Sequence, residues 1–158
     1  MIEFRQVDRF TEPAFSSMQR EVFAIIPGAR VASQSTAKSE VTHRYIHFDP
    51  DAQKVRIGAF DAVQLVGWSI GWQLTPERFY MSNSGVVARY QRRGIYSHLV
   101  AQMLDAAAAM GCSEVVSQHL PDNRAVLEAK AKLGFVRDGF CFSDEFGEMV
   151  RLRHSLRT

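Results

Sequence analysis

Residues 78–110 constrain the fold of this chain more than any other stretch. The first part, residues 79–87, is rich in aromatic and β-branched residues and predicts a strand. A short basic turn follows and opens into a run whose apolar residues recur every three or four positions, which predicts an amphipathic helix. Gly111 is the expected helix stop. The predicted apolar face consists of Ile95, Leu99, Met103, Ala106 and Met110.

The basic turn between this strand and this helix is suited to bind an anion. The first backbone N–H groups of a helix have no partner within it, and the helix dipole adds partial positive charge there. Arg92 and Arg93 add forked donors that suit phosphate, and Gly94 lets a bulky anion approach the backbone. The sequence therefore predicts a phosphate site at the helix start. A surface turn with two solvated arginines is an equal alternative on the turn alone.

Length and composition favour one globular domain over residues 1–158. A hydrophobic content of 46% is enough for one core, and a charged content of 23% is ordinary for a soluble protein. The formal net charge of +2 argues against a dedicated nucleic-acid binder. No run approaches the ~18 apolar residues of a membrane span, and the N-terminus lacks an apolar signal core. We expect a cytoplasmic protein with neither a nucleic-acid nor a membrane partner.

The cysteines and histidines form no metal-binding pattern, so we expect no metal. Cys112 and Cys141 form no CxxC motif, and reduced packing residues are favoured over a disulfide. His43 and His47 are four residues apart, but no nearby carboxylate or cysteine completes a metal site. A solvated helix is therefore the favoured interpretation of these two histidines.

The remaining residues predict further strands and helices. Pro13 opens a first helix, which Pro27 ends, and residues 121–123 open another. Residues 33–39 predict a mobile loop, and residues 40–48 either a helix or a loop. Strands are predicted at residues 2–7, 54–60, 64–74, 113–118, 136–142 and 148–154. The predicted helix faces are Phe15, Met18, Val22 and Ile25, then Val126, Ala129 and Leu133. Trp68 and Trp72 are predicted to be buried on one face of the sheet.

Two motifs resemble those of the GNAT superfamily of N-acyltransferases. Gln91-x-x-Gly94-x-Tyr96 is similar to the family's Q/R-x-x-G-x-G/A, which cradles the pyrophosphate of acetyl-CoA, although Tyr96 replaces a small residue. The stretch from Asn123 to Gly134 and Phe135 resembles N-x-x-A-x-x-x-Y-x-x-x-G-F, with the Asn and the Gly-Phe at the expected spacing. Because both motifs occur in the right element order, the chain is identified as a member of this superfamily.

The resemblance implies an α/β domain of the α+β type with the GNAT fold. That fold is a single mixed, mostly antiparallel sheet that is splayed in the middle and flanked by helices. The split would lie between the strand ending at Val87 and the strand at residues 113–119. Pantetheine would lie in it, bonded to backbone groups of Val86 and Val87 and faced by Asn123. The pyrophosphate would rest on the amides of Gln91, Arg92, Arg93, Gly94, Ile95, Tyr96 and Ser97.

The resemblance also implies the activity of an N-acetyltransferase. An acetyl group would pass from acetyl-CoA to a primary amine of an unidentified small molecule or protein, by direct attack in a ternary complex. The alternative is a catalytically weak or silent acyl-CoA-binding GNAT module, because Lys130 stands at the family's Tyr acid and Tyr96 is bulky. We also consider a homodimer, because the strand at residues 148–153 could be a sheet edge.

Three residues are candidates for proton transfer. His119 lies at the exit of the strand flanking the predicted split, and its ordinary pKa of about 6.5 suits a base at neutral pH. A structural or exposed histidine is nevertheless favoured. Lys130 could stabilise the leaving thiolate, but a solvated helix residue is the favoured interpretation. Tyr96 could supply a phenol.

Polar residues in the strand before the basic turn are unusual for a central strand. Alternation places Ser82 and Ser84 on one face and Asn83 on the other. All three are candidates to line the acceptor pocket or to order a water that moves the proton. A backbone N–H at Val86 or Val87 is the candidate oxyanion donor.

Overall fold

The computed structural model describes residues 1–24 and 41–156. Every predicted strand is present, and each end lies within one residue of its prediction. In chain order the elements are β1 (Ile2–Val7), α1 (Ala14–Phe23), β2 (Val55–Asp61), β3 (Gln64–Gln73), β4 (Arg78–Val86), α2 (Ile95–Ala109), β5 (Glu114–His119), α3 (Arg124–Lys132), β6 (Val136–Ser143) and β7 (Gly147–Ser155). A short 3-10 turn, Ala88–Tyr90, joins β4 to the basic turn.

The strands form one mixed sheet that is split in the middle, as predicted. Its order is β1-β2-β3-β4-β5-β7-β6, and only β4 and β5 are parallel. These two strands pair over residues 78–80 and 114–116 alone. Beyond them, residues 81 and 83–86 pair with β3 and not with β5, and residues 117–119 pair with β7 and not with β4. The two halves of the sheet therefore diverge from this short parallel ladder.

Helices α1 and α2 cover opposite faces of the sheet. A side chain at Gly67 of β3 would meet Leu99 of α2 at 3.3 Å. The next residue, Trp68, packs edge-on against Phe15 and Phe23 of α1, with ring centroids 5.5 and 5.8 Å away. Because successive residues of a strand point to opposite faces, the two helices lie on opposite sides. The sheet is thus covered by one of these helices on each face.

The predicted apolar face of α2 is largely confirmed. Ile95, Leu99 and Met103 are buried in the main core together with Val100 and Ala107. Met110 does not belong to that face, because it follows the last helical residue and is 41% exposed. Gly111 has a φ of +87°, the left-handed conformation expected of a helix stop.

Both tryptophans are buried packing residues, as predicted. Trp68 and Trp72 are 0% and 1% exposed. The ring of Trp68 leaves no room for a side chain at Gly85, where a Cβ atom would lie 2.4 Å from the ring. Trp72 packs edge-on against Tyr80 at 5.0 Å.

Two expectations change with the structure. Residues 41–48 contain no helix, so the helical part of the interpretation of His43 and His47 is wrong. His47 is exposed as expected, whereas the side chain of His43 is only 25% exposed. Instead His43 lies against Arg151 and Asp138. Residues 148–153 are not an edge, because β7 lies between β5 and β6. Predictions for Ile25, for the helix end at Pro27 and for residues 33–39 lie outside the described residues.

Candidate functional site

A β-bulge interrupts β4 where the sheet splits. Ile70 and Gly71 of β3 pair with Asn83 and Met81, so Ser82 is left without a partner on β3. A bulge of this kind places two residues opposite one and bends the strand. The bend lies immediately after the last residue of β4 that pairs with β5. It therefore contributes to the divergence of the two strands.

The bulge also changes where the polar side chains of β4 point. Asn83 Oδ1 accepts a hydrogen bond from Trp68 Nε1 at 2.7 Å, on the face covered by α1. Ser84 points to the opposite face, where its hydroxyl lies 2.8 Å from that of Ser69. Ser82 bonds with the hydroxyl of Tyr80 instead. The prediction that Ser82 and Ser84 share a face is wrong, because the bulge breaks the alternation between them.

The last residues of β4 decide which backbone groups face the split. Val87 N–H donates to Val66 O at 3.0 Å, so Val87 faces β3. Neighbouring residues of an antiparallel strand point their hydrogen-bonding groups to opposite sides, so those of Val86 face the split. The Val86 carbonyl accepts a bond from Gln91 Nε2 at 2.9 Å, which agrees with this direction. Of the two candidate oxyanion donors, only Val86 N–H is available there.

Helix α2 begins with backbone amides that have no partner within the helix. Gly94 occupies its N-cap position with a φ of +81°, and neither a capping side chain nor an acidic residue covers its first turn. The amides of Ile95, Tyr96 and Ser97 are therefore open. Arg92 also has a positive φ, +65°. Successive amides in such a turn form a concavity that suits an anion, so the predicted phosphate site has the backbone conformation it needs.

Tyr90 anchors this basic turn to the rest of the fold. Its hydroxyl donates a hydrogen bond to Asp61 at the end of β2. The guanidinium groups of Arg93 and Arg89 lie 4.9 and 5.3 Å from the centre of its ring. These contacts hold two arginine side chains beside the turn, whereas residues 91–94 themselves are exposed.

The split opens into a cavity of about 390 Å³. Its walls include Phe23 from α1 and Tyr96 from α2, so it reaches both faces of the sheet. Within the described residues its lining contains no carboxylate. The sequence-predicted residues that line it are Ser82, Asn83, Ser84, Tyr96, His119, Asn123 and Lys130.

Lys130 is buried, and its interpretation as a solvated helix residue is wrong. It is 2% exposed, because α3 directs this residue into the space that the split creates. Its Nζ donates to Ser117 Oγ at 3.0 Å and lies 3.8 Å from Met81 Sδ and 4.7 Å from the ring centre of Phe135. These partners are all uncharged. Burial lowers the pKa of Lys130 from its ordinary value of 10.5 to about 7.

Ser117 connects Lys130 to His119. The Nε2 atom of His119 lies 2.8 Å from the Ser117 hydroxyl oxygen, which also accepts from Lys130. One proton arrangement satisfies all three groups: Lys130 donates to Ser117, Ser117 donates to His119 Nε2, and the ring proton is on Nδ1. Burial, and then the charge of Lys130, lower the pKa of His119 well below its ordinary value. His119 is therefore neutral at neutral pH. In its other tautomer the ring proton is on Nε2 and is donated to Ser117, and the Nδ1 lone pair can then accept a proton.

Sequence reasoning missed Ser117, and also missed the role of Gln118. Ser117 and His119 are two residues apart on one strand, so they share a face, which is the only local sign of their contact.

Gln118 is 8% exposed, and its side chain points to the opposite face of β5 from Ser117 and His119. Its carboxamide bonds with Ile46 N–H at 2.7 Å, Ile46 O at 3.2 Å and the hydroxyl of Tyr80 at 3.1 Å. It thereby fixes the irregular segment around Ile46 to the sheet.

Tyr96 and Asn123, two further residues predicted to belong to the site, also line the cavity. Tyr96 is half-buried, packs against the main core and lines the cavity, and burial raises the pKa of its hydroxyl. Asn123 occupies the N-cap position of α3 but makes no capping hydrogen bond with its side chain. The capping chemistry expected there is absent, and Asn123 lines the cavity.

Comparison with known proteins identifies the family that has this arrangement. Residues 20–135 match the family model described as the acetyltransferase (GNAT) family, which covers well over half of the chain. The chain belongs to the GNAT family. Among curated proteins, N-alpha-acetyltransferase 30 of Xenopus laevis is 38% identical over 61 residues, or 39% of this chain and 22% of that protein. This GNAT chain thus spans about a fifth of the length of that relative.

Solved structures share the GNAT fold. The ribosomal-protein-S18-alanine N-acetyltransferase of Escherichia coli has a TM-score of 0.72 and 12% identity, over 100% of this chain and 96% of that one. A streptothricin acetyltransferase of Bacillus anthracis, solved with acetyl coenzyme A, has a TM-score of 0.59 and 19% identity, over 65% and 62% of the two chains. At these identities the likeness shows the fold alone.

The described residues hold neither a cluster of metal ligands nor a membrane-spanning helix. Residues 1–24 and 41–156 hold no group of three or more His, Cys, Asp or Glu side chains that could bind a metal ion. Within the same ranges, none of the helices has the length and apolar character needed to span a bilayer.

Proposed function

We propose that this GNAT protein is an N-acetyltransferase that moves an acetyl group from acetyl-CoA to a primary amine of a small molecule or a protein. The amine attacks directly while both substrates are bound. The observation that carries the proposal is the split between β4 and β5, with the hydrogen-bonded chain of Lys130, Ser117 and His119 inside it. The relatives named above are acetyltransferases by name, and the one from Bacillus anthracis was solved with acetyl coenzyme A.

The residues of the split fit acetyl-CoA. The Val86 carbonyl faces the open edge of β4, and its second lone pair can accept from an amide N–H of a pantetheine arm, which Asn123 would face. Open amides at the start of α2, together with Arg92 and Arg93, suit the pyrophosphate. Tyr96 lines this cavity, and the groups proposed to hold the pyrophosphate are backbone amides, which its side chain leaves in place. When bound there, acetyl-CoA supplies the acetyl group as an activated thioester.

Lys130 is the proposed acid for the leaving thiol. A thiol has an ordinary pKa of about 8.5, so a lysine with an ordinary pKa of about 10.4 would protonate a thiolate uphill. Burial lowers the pKa of Lys130 to about 7, which makes the same proton transfer downhill. The buried environment therefore supplies the tuning that a solvated lysine would lack. Burial moves the pKa of the Tyr96 phenol in the opposite direction, so Tyr96 is the weaker candidate.

His119 is the proposed base for the attacking amine. It is neutral at neutral pH, and the nitrogen that attacks becomes strongly acidic as its bond to carbon forms. Ser117 can then pass a proton from His119 back to Lys130, because its hydroxyl bonds with both. Val86 N–H would donate to the carbonyl oxygen as negative charge develops there.

The acceptor is proposed to enter beside the bulge of β4. Asn83 and Ser84 line the cavity, but their side chains are engaged by Trp68 and Ser69. Ser82 is engaged in the same way, by the hydroxyl of Tyr80, so we retain all three as residues that line the acceptor entrance. The absence of carboxylates from the described lining favours acceptors with a single amine over polycations.

The pH dependence of turnover tests the role of Lys130. We expect kcat, at saturating acetyl-CoA and acceptor, to fall as pH rises through about 7, because the Lys130 ammonium loses its proton there. Lys130→Tyr should move this alkaline limb upward by about two to three pH units, toward the ordinary pKa of a phenol. Lys132→Tyr, an exposed position on the same helix, should leave the limb in place. A wild-type kcat that continues to rise up to pH 9 would contradict the assignment.

Thermal melting tests whether the split binds the cofactor. Free CoA and acetyl-CoA should both raise the melting temperature, because a ligand at a hundredfold excess over its Kd stabilises the folded state by about 2.7 kcal/mol. If neither CoA nor acetyl-CoA raises the melting temperature at millimolar concentration, the proposed function is wrong.

Location and assembly belong to the same proposal. Cys112 and Cys141 are free and buried, which agrees with a reducing compartment such as the cytoplasm.

A homodimer formed by strand pairing would use β1 or β6, the two edges of the sheet. Light scattering of the purified protein measures whether such a dimer forms.

A further inference from the structure

We propose that Lys130 is itself a modification site, and that its side-chain nitrogen is acetylated inside the split when acetyl-CoA is bound and no acceptor amine is present. This inference rests on the proposed function, because the acetyl group must come from acetyl-CoA held in the split. It adds a second, self-directed reaction at the same site.

The surroundings of Lys130 set it apart from an ordinary lysine. It is 2% exposed, it lines the cavity, and its nitrogen contacts only a hydroxyl and a thioether at hydrogen-bond range. In residues 1–24 and 41–156, the cation of every ion pair is an arginine or a histidine. No carboxylate therefore holds Lys130 in the charged form, and its amine lies in the space assigned to the thioester.

The consequence is a reactive amine. Burial lowers the pKa of Lys130 to about 7, so about half of the molecules carry it as a neutral amine at neutral pH. A solvated lysine with a pKa of about 10.4 is neutral in fewer than about one molecule in a thousand at that pH. The neutral nitrogen can donate one hydrogen to Ser117 and keep its lone pair for attack.

The reaction balances without any further reagent. The lone pair of Lys130 Nζ attacks the thioester carbonyl carbon, a C–N bond forms, and the C–S bond breaks with its electron pair on sulfur. The nitrogen loses one proton, which His119 can take through Ser117 and which ends on the sulfur. The products are free CoA thiol and an acetylated Lys130, and nothing is oxidised or reduced.

This reaction would limit itself. Acetylation removes the ammonium that we assign as the acid for the leaving thiol, so an acetylated chain should turn over slowly. An acceptor amine in the split competes for the same carbonyl carbon and should protect Lys130. We therefore expect at most one acetyl group per chain at this site, with its rate reduced by acceptor.

Mass spectrometry of the intact protein, followed by peptide mapping, tests the inference. After incubation with acetyl-CoA and no acceptor, we expect one added acetyl group located on Lys130, formed faster at pH 8 than at pH 6. Lys132→Arg should be modified like the wild type, since that side chain is exposed on the same helix. Lys130→Arg and Lys130→Met should both remain unmodified, and circular dichroism confirms that each is folded.

The outcomes separate this inference from the proposed function. If CoA raises the melting temperature but Lys130 stays unmodified at both pH values, the inference is wrong and the proposed function stands. Acetylation at Lys38, Lys54 or Lys132 instead of Lys130 would also overturn it. If CoA leaves the melting temperature unchanged, the proposed function fails and the inference fails with it.

Discussion

Lys130→Met is expected to give a protein that is more stable than the wild type and nearly inactive. Loss of a positioned acid typically lowers turnover by about 10²–10⁴-fold. The methionine side chain has a similar length and fills the same space between Met81 and Phe135 without a charge. At pH 7 the free energy of unfolding should rise by roughly 3–5 kcal/mol, which corresponds to the lowering of the lysine pKa from 10.5 to about 7.

The pH dependence of this stability gain has a definite sign. The pKa of Lys130 is lower in the folded than in the unfolded protein, so the unfolded chain binds the proton more tightly. The loss of stability caused by burying the Lys130 charge is complete below about pH 7. It disappears as pH rises toward 10.5, the ordinary pKa of lysine. The advantage of Lys130→Met over the wild type should therefore shrink between pH 7 and pH 10.

Urea unfolding at pH 7 and pH 9.5, together with steady-state kinetics, measures both effects. Lys132→Met is the matched control, since it lies two residues away on the exposed side of α3. Its stability should stay within about 0.5 kcal/mol of the wild type, and its turnover should be unchanged. A Lys130→Met protein that is destabilised at pH 7, or that keeps wild-type turnover, would contradict the account of this residue.

Gly94→Val is expected to weaken CoA binding by at least about tenfold, whereas Gly111→Val should leave it unchanged. The two glycines flank α2 and have φ values of +81° and +87°, and nothing lies within 4 Å of a Cβ atom at either. The left-handed conformation costs an L-residue roughly 1–2 kcal/mol, so both variants should lose similar stability. Only Gly94 sets the direction of the amides proposed to hold the pyrophosphate.

Calorimetric titration with CoA distinguishes the two variants, and thermal melting without ligand confirms that their stabilities match. Gly111→Val thus controls for the backbone strain itself. If both variants bind CoA as the wild type does, the anion is held somewhere other than the start of α2.

The strands and α2 could be predicted from the sequence because their signals are local. Alternation over residues 2–7 and the recurrence of Ile95, Leu99 and Met103 need no knowledge of the rest of the chain. The bulge at Ser82 depends instead on pairing with β3, and it reversed the predicted direction of one side chain. The position of β7 inside the sheet is likewise a property of strand order and not of the strand's own residues.

The chemistry of the candidate site was the least predictable part. A lysine in a helix is almost always solvated, so nothing local indicated that Lys130 enters the sheet. Its burial follows from the divergence of β4 and β5, which creates space that the Lys130 side chain enters. Ser117 became visible only when that space placed it between Lys130 and His119. The motif resemblance located the region, and the tertiary structure assigned the contacts within it.

Release of free CoA thiol from acetyl-CoA, measured with purified protein over a panel of amines, tests the central claim most directly. The panel should include peptides with a free α-amine, small monoamines and a polyamine. We expect steady turnover with at least one monoamine, and we expect Lys130→Met to abolish it. If the protein binds CoA but releases no more than one thiol per chain with every amine tested, the proposed enzyme activity is wrong and the protein is a silent CoA-binding module.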